Sequence, residues 1–201
     1  ATEFVLKLLK KRLFSSPEAF RTTLEKHIKT LTQVTEKAER RATKRYSILR
    51  RQLAQVDEDY GDDEAYETAS DEAVDTATRT FSEPNSEEMD LLQRMRVWAE
   101  DASRRWDSKT ESLVSWLEEI CHSDGQWNNE RVIIFTEYRT TQQWLHGVLT
   151  TAGLGGEDRL ALIYGGMDKD EREAIKAAFQ AKPDENNRLR ILLATDAASE
   201  G

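Results

Sequence analysis

The chain has 201 residues, 38% hydrophobic and 33% charged, enough for one domain or a domain and a half around a modest core. No apolar run approaches the roughly 18 residues a membrane span needs, and no leader with a basic flank and cleavage site opens the sequence, so a soluble cytoplasmic protein without a membrane partner is expected. The net charge of −9 argues against a simple nucleic-acid binder, yet residues 1–51 carry net +9 and residues 52–92 net −13, so the average conceals a basic front end.

Val5, Leu9 and Leu13 recur every four residues with Leu6 and Leu8 beside them, which predicts a short amphipathic helix ending at Ser15-Ser16. Pro17 suits the first position of a second helix and Ser16 its cap. The stripe Phe20, Leu24, Ile28, Leu31, Val34, Ala38, Ala42, Leu49, Leu53 and Val56 carries that helix to about residue 56, with a basic opposite face that can track phosphates or simply be solvated. Residues 1–56 thus read as a basic helical segment.

From 57 to 88 carboxylates accumulate around Gly61, Pro84 and Asn85 with few large apolar residues, so a flexible acidic connector is expected. The alternative is that this run folds over the basic helix as an autoinhibitory mimic of nucleic acid. A long helix or helix pair follows over 89–123, with a seam through Leu92, Met95, Ala99, Ala102, Trp106, Leu113, Trp116 and Ile120 that Lys109 interrupts. Ser108-Lys-Thr-Glu111 is a capping-box pattern at which a new helix can start. The two long helices are expected to form a hairpin with the acidic connector at its tip. Cys121, the single cysteine, excludes an internal disulfide and a cysteine-based zinc site, and reads as a buried helix-face thiol.

Texture changes near residue 130. Arg131–Thr136 reads as a strand buried on both faces, and a helix from about Arg139 to Thr151 turns Trp144, Leu145, Val148 and Leu149 inward. Leu160–Tyr164 is the second strand. After Gly165-Gly166, Asp168 and Glu171 start a helix with Ala174, Ile175, Ala178 and Phe179 inward, which Pro183 ends. Leu189–Ala194 is the third strand, so the order β-α-β-α-β predicts parallel strands joined by right-handed crossovers. Ligands of such sheets bind at the carboxyl ends of the strands, where the polar residues of Thr136–Arg139, Gly165-Gly166 and Thr195–Gly201 fall. A small-residue turn after a buried strand lets N–H groups converge on phosphate. His27, His122 and His146 are scattered, no metal site is expected, and no Ser-His-Asp or Cys-His arrangement can be assembled.

Three segments, Arg131–Thr141, Leu162–Arg172 and Leu192–Gly201, stand in the order and spacing of motif IV, the Gly-Gly loop and motif V, and over about 70 residues the chain resembles the second RecA-like domain of superfamily 2 helicases, most of all the SNF2 branch. The resemblance implies an α/β fold, a partial RecA-like parallel sheet preceded by a long helical hairpin, with 124–201 a truncated second lobe. It implies backbone contacts to nucleic acid from Phe135, Thr136, Gly166 and Thr195, a weaker phosphate role for Arg139, and the edge of an ATP cleft at Glu200 and Gly201. Each has a plainer structural counterpart: Phe135 as core, the threonines as strand ends, the glycines as turns, Arg139 as a cap on the sheet edge. The parent would be an ATP-driven, Mg-dependent translocase of duplex DNA, partnered by its own first RecA-like lobe. Leu8–Phe20, a Lys/Arg-rich helix ending in Ser-Ser-Pro, resembles the RapA-like branch, including the SNF2-like component of DISARM systems. The sequence holds no G-x-x-x-x-G-K-[ST] loop, no strand-end Asp-Glu pair and no arginine motif, so no ATP hydrolysis is expected of this fragment alone. Two other classes compete: a helical protein-interaction module on an α/β scaffold, and a flavodoxin-like regulatory domain, which would need about five strands.

Overall fold

A computed structural model describes residues 2–33, 62–156, 158–182 and 188–196. The chain divides into two units, Ala1–Tyr60 with Glu64–Arg105 and Gly61–Asp63 with Trp106–Gly201.

In the first unit, α1 (Thr2–Ser15) stops where the sequence predicts and α2 (Pro17–Gln33) begins on Pro17, whose missing N–H costs nothing there. The buried Ser16 hydroxyl accepts from the Ala19 N–H at 3.1 Å, closing the cap. Val5 and Leu9 of α1 meet Phe20 and Leu24 of α2 in a small core shared with Ala77 and Ala99. Val34 to Val56, the remainder of the predicted stripe, lies outside the described residues.

The acidic run corrects the expectation of a flexible connector: Asp63–Thr78 is a helix, α3. Counting large apolar side chains misjudged it, because it packs through small ones. Ser70, Ala73, Val74, Ala77 and Thr78 are all essentially buried. Its acids also find partners on the basic helices, which lowers the cost of gathering them. Glu67 pairs with Arg12 at 3.6 Å, Asp71 pairs with Lys26, and Asp75 accepts from the Thr30 hydroxyl at 2.7 Å.

A complete capping box opens α4 (Ser86–Ser103), with the Asn85 side chain accepting from the Glu88 N–H and the Glu88 carboxylate from the Asn85 N–H, both at 2.9 Å. α2 packs along both α1 and α4, so the helical region is richer than a hairpin. The predicted seam only partly holds. Ala99 is buried, but Met95 is 37% exposed.

Between Arg104 and Asp107 the helix breaks, and α5 (Ser108–Cys121) starts on Asp107, whose carboxylate accepts from the Thr110 N–H at 2.7 Å. The cap sits one residue before the expected Ser108. Thr110, Val114, Leu117 and Cys121 are therefore buried, while Leu113 and Ile120 only flank the core and Trp116 faces outward.

The second unit contains a three-stranded parallel sheet of β1 (Val132–Thr136), β2 (Leu160–Ile163) and β3 (Ile191–Thr195) in the order β1-β3-β2. Helices α6 (Arg139–Thr151) and α7 (Lys169–Gln180) connect them. The α7 start follows the sequence, since Asp168 accepts from the Asp170 and Glu171 N–H groups. Because side chains alternate along a strand, Ile191 and Leu193 face α5 and α6 while Leu192 faces Ile175 and Phe179 of α7. The burial expected of β1 on both faces is not observed: Ile133 and Phe135 are 45% and 56% exposed, because α7 covers the sheet over β2 and β3.

His27 is buried, with its Nδ1 at 2.7 Å from the Thr78 hydroxyl and its ring edge-on to Phe81, and burial holds its pKa below the ordinary 6.5. A base depressed in the folded state takes up a proton first in the unfolded chain, so its contribution is complete above 6.5 and is lost as pH falls from there through the lower folded value. The thermal midpoint of the helical unit is expected to drop between about pH 7 and about pH 5, with a shallower drop in His27→Gln, as followed by circular dichroism.

Candidate functional site

The chain leaves β1 toward α6 on one face and β2 toward α7 on the other, with β3 between them. That divergence opens a crevice at the carboxyl end of β3. Thr136 and Thr195 are register partners at the ends of β1 and β3, and Ile163 of β2 pairs with Ala194, which places the Gly165-Gly166 turn on the same rim.

Thr136, Arg139 and Thr195 are engaged within the protein, as is the N–H of Gly165. Thr195, fully buried, donates its hydroxyl to Asp63 Oδ2 at 2.7 Å, and the buried Gly165 N–H donates to the same oxygen at 2.6 Å. Both are short, charge-assisted bonds. The Thr136 hydroxyl donates to the Tyr138 carbonyl at 3.3 Å, closing the turn into α6. Arg139 lays its guanidinium 3.5 Å from the centre of the Tyr164 ring and donates to Gln142 Oε1. Phe135 stands on the exposed face of β1, neither core nor part of this cluster. Glu200 and Gly201 lie outside the described residues.

Two contributors escaped the sequence reading. Gln142, fully buried on α6, donates through Nε2 to the carbonyls of Ile163 and Leu193 at 2.8 Å each, clamping β2 to β3 just below the crevice. A lone Gln in an amphipathic pattern gives no signal of this. Asp63 was visible only as one acid among many. From the other side of the sheet, Arg172 of α7 donates to the Tyr164 carbonyl at 3.1 Å, so Tyr164 carries a guanidinium contact from both flanking helices.

Carboxylates crowd the same rim. Burial, and then the neighbouring Glu137 and Asp63, push the Asp196 carboxyl above its ordinary value. Among the described residues no group of side chains is arranged to hold a metal ion.

Residues 112–201 match the helicase conserved C-terminal domain. That match supports a helicase C-terminal lobe, a kind of domain that binds nucleic acid and pairs with an N-terminal lobe. It begins within α5 rather than at residue 124, in keeping with the packing of Val114, Leu117 and Cys121 against the sheet. No curated protein and no solved structure matches the chain.

Gly166 has φ +83°, and a Cβ there would lie 2.9 Å from Asp62 Oδ1. Gly166→Ala is expected to cost about 1–2 kcal/mol, chiefly from the left-handed backbone, read as a lowered urea midpoint. An acid raised in the folded state favours folding only while protonated, and that contribution is lost as pH rises through the raised value. Asp196→Asn is therefore expected to raise the thermal midpoint at neutral pH, with the gain vanishing as pH falls to the ordinary 3.8.

Proposed function

We propose that this chain supplies the strand-gripping half of an ATP-driven DNA translocase of the SNF2 type, in the RapA-like branch that includes the helicase component of DISARM systems. The observation that carries the reading is the shared rim: Thr136, the Gly165-Gly166 turn and Thr195 meet at the carboxyl ends of three adjacent parallel strands. Hydroxyl and N–H donors in such a row suit the oxygens of a sugar-phosphate backbone, which fix position without reading sequence. Thr136, Gly166 and Thr195 are assigned as backbone contacts. Arg139 supplies positive charge beside them, and Phe135 extends the contact along the exposed edge of β1.

Duplex DNA is the assigned partner, together with the first RecA-like lobe of the same parent. ATP and Mg belong to the cleft between the two lobes. Glu200 and Gly201, assigned to its edge by resemblance, lie outside the described residues, so no step is routed through them. A single lobe is not expected to hydrolyse ATP. In machines of this class the lobes open and close around nucleotide, and each holds the strand in turn.

A second reading, a helical protein-interaction module, is favoured by one observation. Leu13, Phe20, Leu91, Met95, Val97 and Trp98 line an apolar groove of about 990 Å³ in the helical unit.

Amide hydrogen exchange of the chain with duplex and single-stranded DNA at low salt separates the two. The motor reading expects protection at Glu137, Gly165, Gly166 and Asp196, and affinity that falls with salt at a slope of about −0.9 per phosphate held on duplex DNA. Protection confined to α1 and α4, or none at saturating DNA, sinks it.

A further inference from the structure

We infer that Asp63 is an intramolecular competitor for nucleic acid: its carboxylate fills the oxyanion seat made by the Gly165 N–H and the Thr195 hydroxyl, and the strand can enter only when it leaves. The inference rests on the reading of this rim as a backbone grip and adds its regulation.

Three observations converge on the seat. First, both donors converge on one oxygen, Asp63 Oδ2, at 2.6 and 2.7 Å, the arrangement that a non-bridging phosphate oxygen would take. The carboxylate stands in for that oxygen. Second, the acid is placed rather than loosely associated, since Asp63 is only 5% exposed and Asp62 crowds the next residue of the same turn, Gly166. An aspartate taken out of water to this degree needs strong partners, and the seat supplies two. Third, two guanidiniums rest on the residue next to the seat. Arg139 and Arg172 both contact Tyr164, the residue before Gly165. Asp63 adds its charge to Glu137 and Asp196 on the same rim, so the occupied seat repels an approaching phosphate. With Asp63 withdrawn, the Gly165 N–H and the Thr195 hydroxyl lose their anion and can take a phosphate oxygen in its place.

Sequence distance adds to the case. Asp63 stands 102 residues from Gly165 and 132 from Thr195, at the start of α3, so the seat is filled by a contact from a distant part of the chain rather than by the sheet's own turns. A competitor of this kind lowers apparent affinity by the fraction of time the seat is free.

The test uses the whole chain and a fluorescein-labelled 20-base-pair duplex, read by anisotropy at low salt. Asp62→Asn with Asp63→Asn keeps side-chain shape and removes the charge. Glu83→Gln with Glu87→Gln removes the same charge from exposed positions elsewhere. The aspartate pair is expected to bind at least about tenfold tighter than both the wild type and this control, as for a seat free about one-tenth of the time. Adding Thr195→Val to the aspartate pair is expected to abolish most of that gain.

Equal affinity in the aspartate and glutamate pairs, with Thr195→Val still weakening binding, overturns the competitor while leaving the grip intact. If Thr195→Val changes nothing even with the aspartates neutralised, the grip itself fails. Should the aspartate variant not fold, amide exchange on the unaltered chain decides: saturating duplex is expected to speed exchange at residues 62 and 63 as Asp63 leaves the seat. Unchanged exchange there overturns the inference.

Discussion

The five residues of β3 are buried without interruption, Ile191 to Thr195, and this constraint orders the rest of the second unit. A strand with apolar side chains on both faces has to be covered on both, which α5 and α6 do through Leu117, Leu145 and Leu149, and α7 through Ile175 and Phe179. Flanked by β1 and β2 as well, β3 can offer chemistry only at its ends. At the carboxyl end stands Thr195, a buried hydroxyl that must find a partner.

Charge is distributed along the sheet in a way that bears on that partner. Arg131, Arg159 and Arg190 immediately precede the three strands, and burial, with the other two arginines beside it, holds Arg190 below its ordinary value. Carbonyls steady the three: Arg190 donates to Asn128 and Leu189, Arg159 to Arg188 and Arg131 to Phe179. These guanidiniums secure the amino edge. At the carboxyl edge, Glu137 and Asp196 follow β1 and β3 directly, so the rim assigned to phosphate is partly acidic from its own turns. Its donors need not be vacant for the sheet to be stable.

Local patterns in the sequence carried most of the α/β unit. The bounds of α6 coincide with expectation because a clean apolar stripe follows a strand end, and the Asp168 cap is fixed by contacts three residues away. Cys121 is buried as its place on a helix face suggested, with burial pushing its thiol up. What failed depended on context. The α5 face was misread by one residue, since Asp107 and Ser108 are both good caps and only the fold chooses between them. The helicity of Asp63–Thr78 was hidden because alanines and paired acids, invisible to a count of large apolar residues, hold it. As for the candidate site, the placement of Thr136, Gly166 and Thr195 on one rim was legible from strand ends and turn chemistry. The partner of Thr195, far away in the chain, was not.

That partner changes how the rim is understood. The Gly165 N–H and the Thr195 hydroxyl are donors that would be costly to bury unpaired, and the fold meets this cost with a carboxylate from its own chain. Such a bond stabilises the resting protein and, on the proposed reading, opposes the strand by the same free energy, because whatever enters must first replace what Asp63 supplies. Gly165 is buried where the acid sits, while Gly166 beside it is exposed. On the proposed reading, affinity is set by the difference between two anions competing for one pair of donors, not by the number of donors on the rim.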